Sequence, residues 1–369
     1  MTVSTLGSKR KIVGTSNTDK NNFQSKEKLR QKASKILKTL EHRLCGCGKP
    51  IGKVNMKRHI NTGKYSFSGI ETCGNVWVCP VCATKVTEKR RQELLSAHTK
   101  HLENGKIVAL LTLTFPHTLQ DDLLDLSLKE AKATKLFKQR QGWKKFAKDI
   151  LGSIRGFEIT HGINGWHLHS HHLVFIDKEK ITAEEIHRWE LGLYKAWQGA
   201  CLKAGLPEPS PMFGIDLTFN ATGDYISKWG LDLEMTKSHL KTGKKKSKTP
   251  FQLLMSHDKR DNALFFEFAD VFVKKRKQQL RWSNGLKALF DIETKTDEQL
   301  AEEHTDEFMD DDILIDSKEY YHFWVNGLSY MLKSALEQGG IQELNELLQN
   351  RREIIGYKLK KEREKLPLI

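Results

Sequence analysis

Apolar positions in the middle of the chain change period several times, and each change predicts an element. Ile107–Phe115 is an almost unbroken apolar run and reads as a strand. Ser127–Ile150 then carries Leu128, Ala131, Phe146 and Ile150 at helical spacing. Two further strands are predicted at Ile154–His161 and Trp166–Ile176. Thr182 and Glu185 form a capping-box pair opening a helix toward Ala204, and Gly214–Phe219 supplies a strand before a helix that carries Tyr225.

The resulting order, β-α-β-β-α-β-α, matches an α+β fold of the ferredoxin-like, split βαβ kind. Its antiparallel sheet has helices on one face and leaves the other free for a ligand. The flanks differ in character. Residues 1–40 are polar and basic, with a short helix expected at Arg30–Leu40, and read as a flexible arm. Residues 41–100 form a cysteine-rich module and 101–236 the central domain. Residues 237–297 are a basic extension with helices expected at Phe251–Leu254 and Asn262–Arg281. Residues 298–369 pass through the acidic run Asp310–Asp312 into a mainly helical C-terminal region, marked by Leu344, Leu347 and Leu348.

Charge narrows the partner. The 369 residues carry a formal net charge of +15, and the Lys and Arg residues fall in clusters, the footprint of a polyanion binder. No apolar run has the roughly 18 residues needed to span a bilayer, so a cytoplasmic protein without a membrane partner is expected. Five of the six cysteines crowd between Cys45 and Cys82, which suits a metal module in a reducing compartment better than a disulfide framework. Cys201, on the predicted helix 182–204, is expected to pack in the core.

The most informative segment is Gly165-Trp-His-Leu-His-Ser-His-His-Leu-Val-Phe175. On a strand, alternation points His167, His169 and His171 to one face and His172 to the other. If the preceding strand closes onto it through Gly162–Gly165 without a bulge, Glu158 stands opposite His169 on the same face. One carboxylate and two or three imidazoles on an open sheet face suit a divalent ion such as Mg²⁺ or Mn²⁺ that keeps positions for phosphate oxygens. Further on, Tyr225 and Lys228 share one face of the predicted helix. A phenol oxygen attacking a phosphodiester conserves the bond as a phosphotyrosine, provided that positive charge steadies the developing negative charge. Tyr225 would attack, and Lys228 would assist.

At these residues the chain resembles the HUH endonucleases, and within them the rolling-circle replication initiators of small bacterial plasmids. Leu111-Thr-Leu-Thr-Phe-Pro-His117, the histidine strand and Asp224-Tyr-Ile-Ser-Lys228 match in order, and Thr249–Leu254 and Arg281–Lys287 extend the likeness. The resemblance implies metal ligands at His169 and His171, Glu158 as a third, and Tyr225 as the nucleophile. It also implies a 5′-phosphotyrosyl strand, a free 3′-OH primer, and host helicase and polymerase as partners at the plasmid origin, nicked in a single-stranded hairpin loop. Two positions depart from the family. Ser170 stands where a hydrophobic residue is usual between the paired histidines, so His167–His169 is an alternative pair. Ala221 stands where some members carry a Glu for the terminating cut.

Cys73, Cys79 and Cys82, with Cys45 or Cys47, can hold one tetrahedral Zn²⁺ of the closed, structural type, with His59 as an alternative ligand. Lys244, Lys245, Lys246 and Lys248, and separately Lys274, Lys275, Arg276 and Lys277, are expected to neutralise DNA phosphates without reading bases. The reading is an origin-nicking replication initiator. Its rivals are an HUH transposase or relaxase with the same chemistry, and a non-catalytic zinc-containing DNA-binding regulator.

Overall fold

The computed structural model describes residues 17–60, 63–219, 223, 226, 247–274, 277–303 and 313–364. They divide into two compact units. One comprises Met1–Leu29, Gly48–Glu71 and Thr305–Ile369; the other comprises Arg30–Cys47 and Thr72–His304. The cysteine-rich stretch expected as one module is therefore divided, since the segment between Cys47 and Thr72 belongs to the first unit.

In the first unit, strands β1 (Pro50–Arg58) and β2 (Tyr65–Ile70) form an antiparallel hairpin, and β8 (Ile313–Ile315) pairs with the other edge of β1. Their inward residues Val54, Met56, Phe67 and Ile315 meet Tyr320, Phe323, Leu332 and Leu344 from the C-terminal helices. The helical C-terminal region was legible from its leucine spacing. Helix α1 (Asn17–Ile36) is longer than the short helix expected at Arg30–Leu40.

The second unit is built on a five-stranded sheet in the order β6-β3-β5-β4-β7, with every pairing antiparallel. Helix α2 (Pro80–Glu103) precedes β3 (Ile107–Leu113). Helices α3 (Leu123–Gln139) and α4 (Gln141–Phe146) connect β3 to β4 (Ile150–Gly162), and a hairpin leads to β5 (Gly165–Ile176). Helix α5 (Ala183–Ala204) then returns the chain to β6 (Ile215–Thr218), and its N-terminus carries the expected capping box of Thr182 and Glu185. Each β-α-β connection leaves room for one strand, and the other connection fills it, so β5 separates β3 from β4 and β3 separates β5 from β6.

Two expected helices are corrected. The amphipathic pattern of 127–150 is not one helix, because Arg140 adopts an extended conformation (φ −82°, ψ 153°) and separates α3 from α4. The break lets Gly142 sit against α5, where a Cβ would fall 1.9 Å from the Gly192 carbonyl oxygen; any larger residue would force the helices apart. Ile150 consequently begins β4. The helix expected at Asn262–Arg281 stops at Lys274. Leu280–Trp282 is instead β7, paired with Ile154–Gly156, because this segment meets the free edge of β4.

The two sheet faces have different fates. Inward of β5, the face carrying His172 is sealed by α3, α4 and α5: Trp143 stands 6.3 Å from the His172 ring, Phe137 packs on Trp143 and Trp197, and Phe146 packs on Trp189. Phe137 and Phe146 are fully buried, worth about 2–3 kcal/mol each in transfer free energy. On the opposite face, Leu94 and Ala97 of α2, with Ile226, Leu286 and Phe290, cover Val108, Ile154, Leu173 and Phe175. Toward the hairpin, apolar positions on this face give way to histidines.

Candidate functional site

The β4–β5 hairpin sets the geometry. Its register closes Gly162 on Gly165 without a bulge, and Glu158 stands opposite His169, as the alternation requires. Gly165 supplies the positive φ (+84°) for the turn, and a Cβ there would sit 2.7 Å from the Thr118 carbonyl oxygen. His169 Nε2 lies 2.9 Å from Glu158 Oε2, and His171 Nε2 lies 3.5 Å from the same oxygen. One ligand atom from each of the three residues falls within 4.8 Å of the others, a set that can hold a metal ion.

The electrostatics agree with that use. Burial pushes the Glu158 carboxyl up, but hydrogen bonds with His169 and His171 outweigh it and hold it well below the usual carboxylate range. The His169 and His171 side chains are 15% and 16% exposed and that of Glu158 45%, so the set has a protein side and a solvent side. Thr112 Oγ1, one strand over on β3, lies 2.9 Å from His171 Nδ1, which leaves Nε2 directed at the carboxylate. His169 Nδ1 is buried and, among the described residues, has no hydrogen-bond partner. Two imidazoles and one carboxylate form a nitrogen–oxygen donor set with open positions, a fit for a divalent ion.

His167 shares the face but not the set. Its ring stacks on His117 at 4.9 Å and 24°, and His117 Nδ1 donates to the Asn164 carbonyl at 2.8 Å. Of the two pairs left open by the sequence, it is therefore His169 and His171 that gather around the carboxylate. Thr112 and His117 carried no role in the sequence reading. Thr112 could have been found as a polar residue among apolar neighbours on β3, whereas the stacking of His117 depends on where its loop meets the hairpin. His172 is fully buried on the reverse face, and burial lowers its pKa well below the ordinary value.

A second group of potential ligands is formed by Cys47, Cys73, Cys79 and Cys82, all buried. Cys47 Sγ lies 3.7 Å from Cys79 Sγ and 3.6 Å from Cys82 Sγ, and Cys73 lies 3.7 Å from Cys82. A tetrahedron with metal–sulfur bonds of about 2.3 Å has edges of about 3.8 Å, so these sulfurs already stand near the spacing of a four-thiolate site. Cys79 caps α2, accepting from the Cys82 amide, which brings the two ends of the C-x-x-C together. The choice between Cys45 and Cys47 falls to Cys47. Cys45 donates instead to the Ser34 carbonyl, and His59 is outside the cluster. Hydrogen bonding to Cys47 and the neighbouring thiols draws the Cys82 pKa well below its ordinary value, while burial pushes Cys79 up. Cys201 is packed in the core as expected, with its thiol pushed up to about 12 by burial.

Tyr225, Lys228, Lys244, Lys245, Lys246, Lys275 and Arg276 lie outside the described residues, and Lys274 ends its helix with its side chain outside them. Ile226, the residue after Tyr225, is helical and buried in the apolar cluster on the histidine face. Lys248 joins Asp261 in an ion pair, and its backbone bridges His161. Lys277 departs from its expected role as a phosphate contact: its ammonium turns inward, donating to the Ser127 carbonyl at 3.0 Å and lying 3.4 Å from buried Glu130.

With this geometry in view, comparison with known proteins is consistent. Residues 67–196 match the family described as replication protein. The chain is 28% identical over 241 residues to the "Protein rep" of Streptomyces lividans, covering 50% of this chain and 53% of that protein. It is 31% identical over 135 residues to a "Neomycin resistance protein" of Streptomyces cyanogenus, covering 29% of this chain and 31% of that one. The chain thus spans about half the length, or less, of these two relatives. No solved structure matches it. The resemblance to plasmid replication initiators, read first from three short motifs, is borne out by the family match. No helix among the described residues is long and apolar enough to cross a membrane.

Proposed function

We propose that the protein is a plasmid replication initiator of the HUH type, which nicks one strand of its origin and keeps the 5′ end as a phosphotyrosine. The observation that carries this reading is the convergence of Glu158, His169 and His171 on one face of an antiparallel sheet, with Ile226 packed on that same face one residue after the proposed nucleophile. The β6-β3-β5-β4 strand order supports a ferredoxin-like nicking fold.

In this reading His169, His171 and Glu158 would hold Mg²⁺ or Mn²⁺, which would supply Lewis-acid polarisation of the scissile phosphate. Thr112 fixes the His171 ring. The Tyr225 oxygen bonds to phosphorus as the phenol gives up its proton, and the P–O3′ bond breaks. The leaving 3′ oxygen takes a proton and is left as the hydroxyl that primes a host polymerase, with a host helicase opening the duplex. Lys228 steadies the charge on the phosphate. The four cysteines hold Zn²⁺, bracing the start of α2 against the preceding turn. The site of action is the bacterial cytoplasm, where plasmid DNA resides.

The test is nicking of the supercoiled native replicon. Metal-dependent conversion to the open circle by the parent, abolished by Tyr225→Phe and by His169→Ala, is the expected result. Nicking that survives Tyr225→Phe would overturn the assignment of the nucleophile.

A further inference from the structure

Behind the histidine face, the sheet carries an arrangement that nicking does not use. Arg155 on β4 pairs directly with Arg281 on β7 and, on its other side, with His172 on β5, so the three stand in one row on the reverse face. Like charges directly opposite in an antiparallel pair repel, and this pair is not alone. Lys138, near the end of α3, holds its ammonium 5.5 Å from the centre of the Trp143 ring, which itself stands 6.3 Å from the His172 ring, so it belongs to the same face; Arg155 and Arg281 add to the effect of burial in lowering its pKa.

One buried carboxylate, Glu130, serves this group. It lies 3.7 Å from the Arg155 guanidinium and 3.4 Å from the Lys277 ammonium, and it accepts from Thr134 Oγ1 at 2.8 Å. Glu130 therefore offsets the two inner cations. Lys138 and Arg281 are both exposed, and among the described residues neither forms an ion pair. Among the described residues named here, four positive groups meet one negative group, and the surplus faces solvent at the edge of the sheet.

We infer that Lys138 and Arg281, backed by Arg155, form a phosphate-backbone site for duplex DNA at the β7 edge of the sheet, on the side away from the nicking histidines. An exposed ammonium and guanidinium on an open edge suit phosphate oxygens along a backbone, which position a duplex without reading its sequence. The inference rests on the proposed nicking function: the cleaved single strand occupies the histidine face, and the paired DNA beside it passes the β7 edge. Repulsion between Arg155 and Arg281 is relieved when a phosphate lies between them and solvent.

The test is fluorescence anisotropy with a random-sequence 30-base-pair duplex between 50 and 200 mM salt. It uses the full chain carrying Tyr225→Phe, so that no cleavage intervenes. Two phosphate contacts at a slope of about 0.9 each predict that Lys138→Ala with Arg281→Ala lowers the salt slope by about 1.8. The parent then loses about twelvefold more affinity than the variant across that range, by the same relation. An unchanged slope overturns the inference. So does an equal loss on removing two exposed lysines elsewhere, Lys180→Ala with Lys203→Ala, since that would reflect total charge alone. Cleavage of a short single-stranded origin oligonucleotide by the Lys138/Arg281 variant with Tyr225 intact reports on nicking separately, and is expected to match the parent.

Discussion

Replacing Glu158 by Gln removes the only formal negative charge from the three-residue set while leaving its shape nearly unchanged. A divalent ion held about 2.1 Å from a carboxylate oxygen gains about 4 kcal/mol from it even at the dielectric constant of water, equivalent to roughly a thousandfold in affinity. The water value is the appropriate floor here because the Glu158 side chain is 45% exposed. The Gln carbonyl dipole recovers part of the loss, so Mn²⁺ affinity is expected to fall about 100- to 1,000-fold, within reach of calorimetric or paramagnetic titration. His167→Ala, which removes a ring stacked on His117 outside the set, is expected to change the affinity only a few-fold. Equal losses in the two variants, or unchanged Mn²⁺ binding by Glu158→Gln, would refute the assignment of the ligands.

Thr112→Val removes the hydroxyl beside His171 Nδ1 and is expected to weaken Mn²⁺ binding by about 10- to 100-fold without unfolding the protein, as loss of an orienting partner does. Thiol titration under native conditions is expected to show Cys45 reacting first. The four clustered cysteines should follow only after chelation of the zinc, and Cys201, buried with its pKa pushed up to about 12, only after unfolding. Reaction of the clustered thiols before chelation would contradict a bound metal. Burial lowers the pKa of His172 and His101, so the unfolded chain takes up protons that the folded chain refuses. Stability against urea is therefore expected to fall as pH drops below about 6.5, by up to about 1.4 kcal/mol per pH unit for each histidine; a flat profile from pH 7 to 5 would contradict it.

The central β-α-β-β-α-β order was readable because Ile107–Phe115 is an apolar run of strand length, the histidine strand alternates, and the Thr182 and Glu185 signals mark a helix start. The Glu158–His169 pairing followed from a hairpin that closes without a bulge. Alternation also put His172 on the reverse face. Patterning failed where tertiary contact overrode it. The run 127–150 keeps a helical period through Arg140, yet the close approach of Gly142 to Gly192 requires a break that no periodicity records. Leu280–Trp282 continues an amphipathic helix by composition but is taken up by the free edge of β4. Lys277 illustrates a limit of charge runs, since nothing in its sequence neighbourhood shows that Glu130, almost 150 residues earlier, draws it inward. The selection of Cys47 over Cys45 likewise depends on the turn that points one sulfur at the cluster and the other at Ser34.

The central claim is that an ion held by His169 and His171 on β5, with Glu158 on β4, serves Tyr225 as the nucleophile. Its most direct test is to incubate the protein with a labelled single-stranded origin oligonucleotide and Mn²⁺, digest the covalent product, and identify the modified peptide by mass. The account expects a 5′-phosphonucleotide on Tyr225, absent when the metal is chelated or His169 is replaced by Ala. An adduct on another residue, or one that forms undiminished without metal, would contradict it.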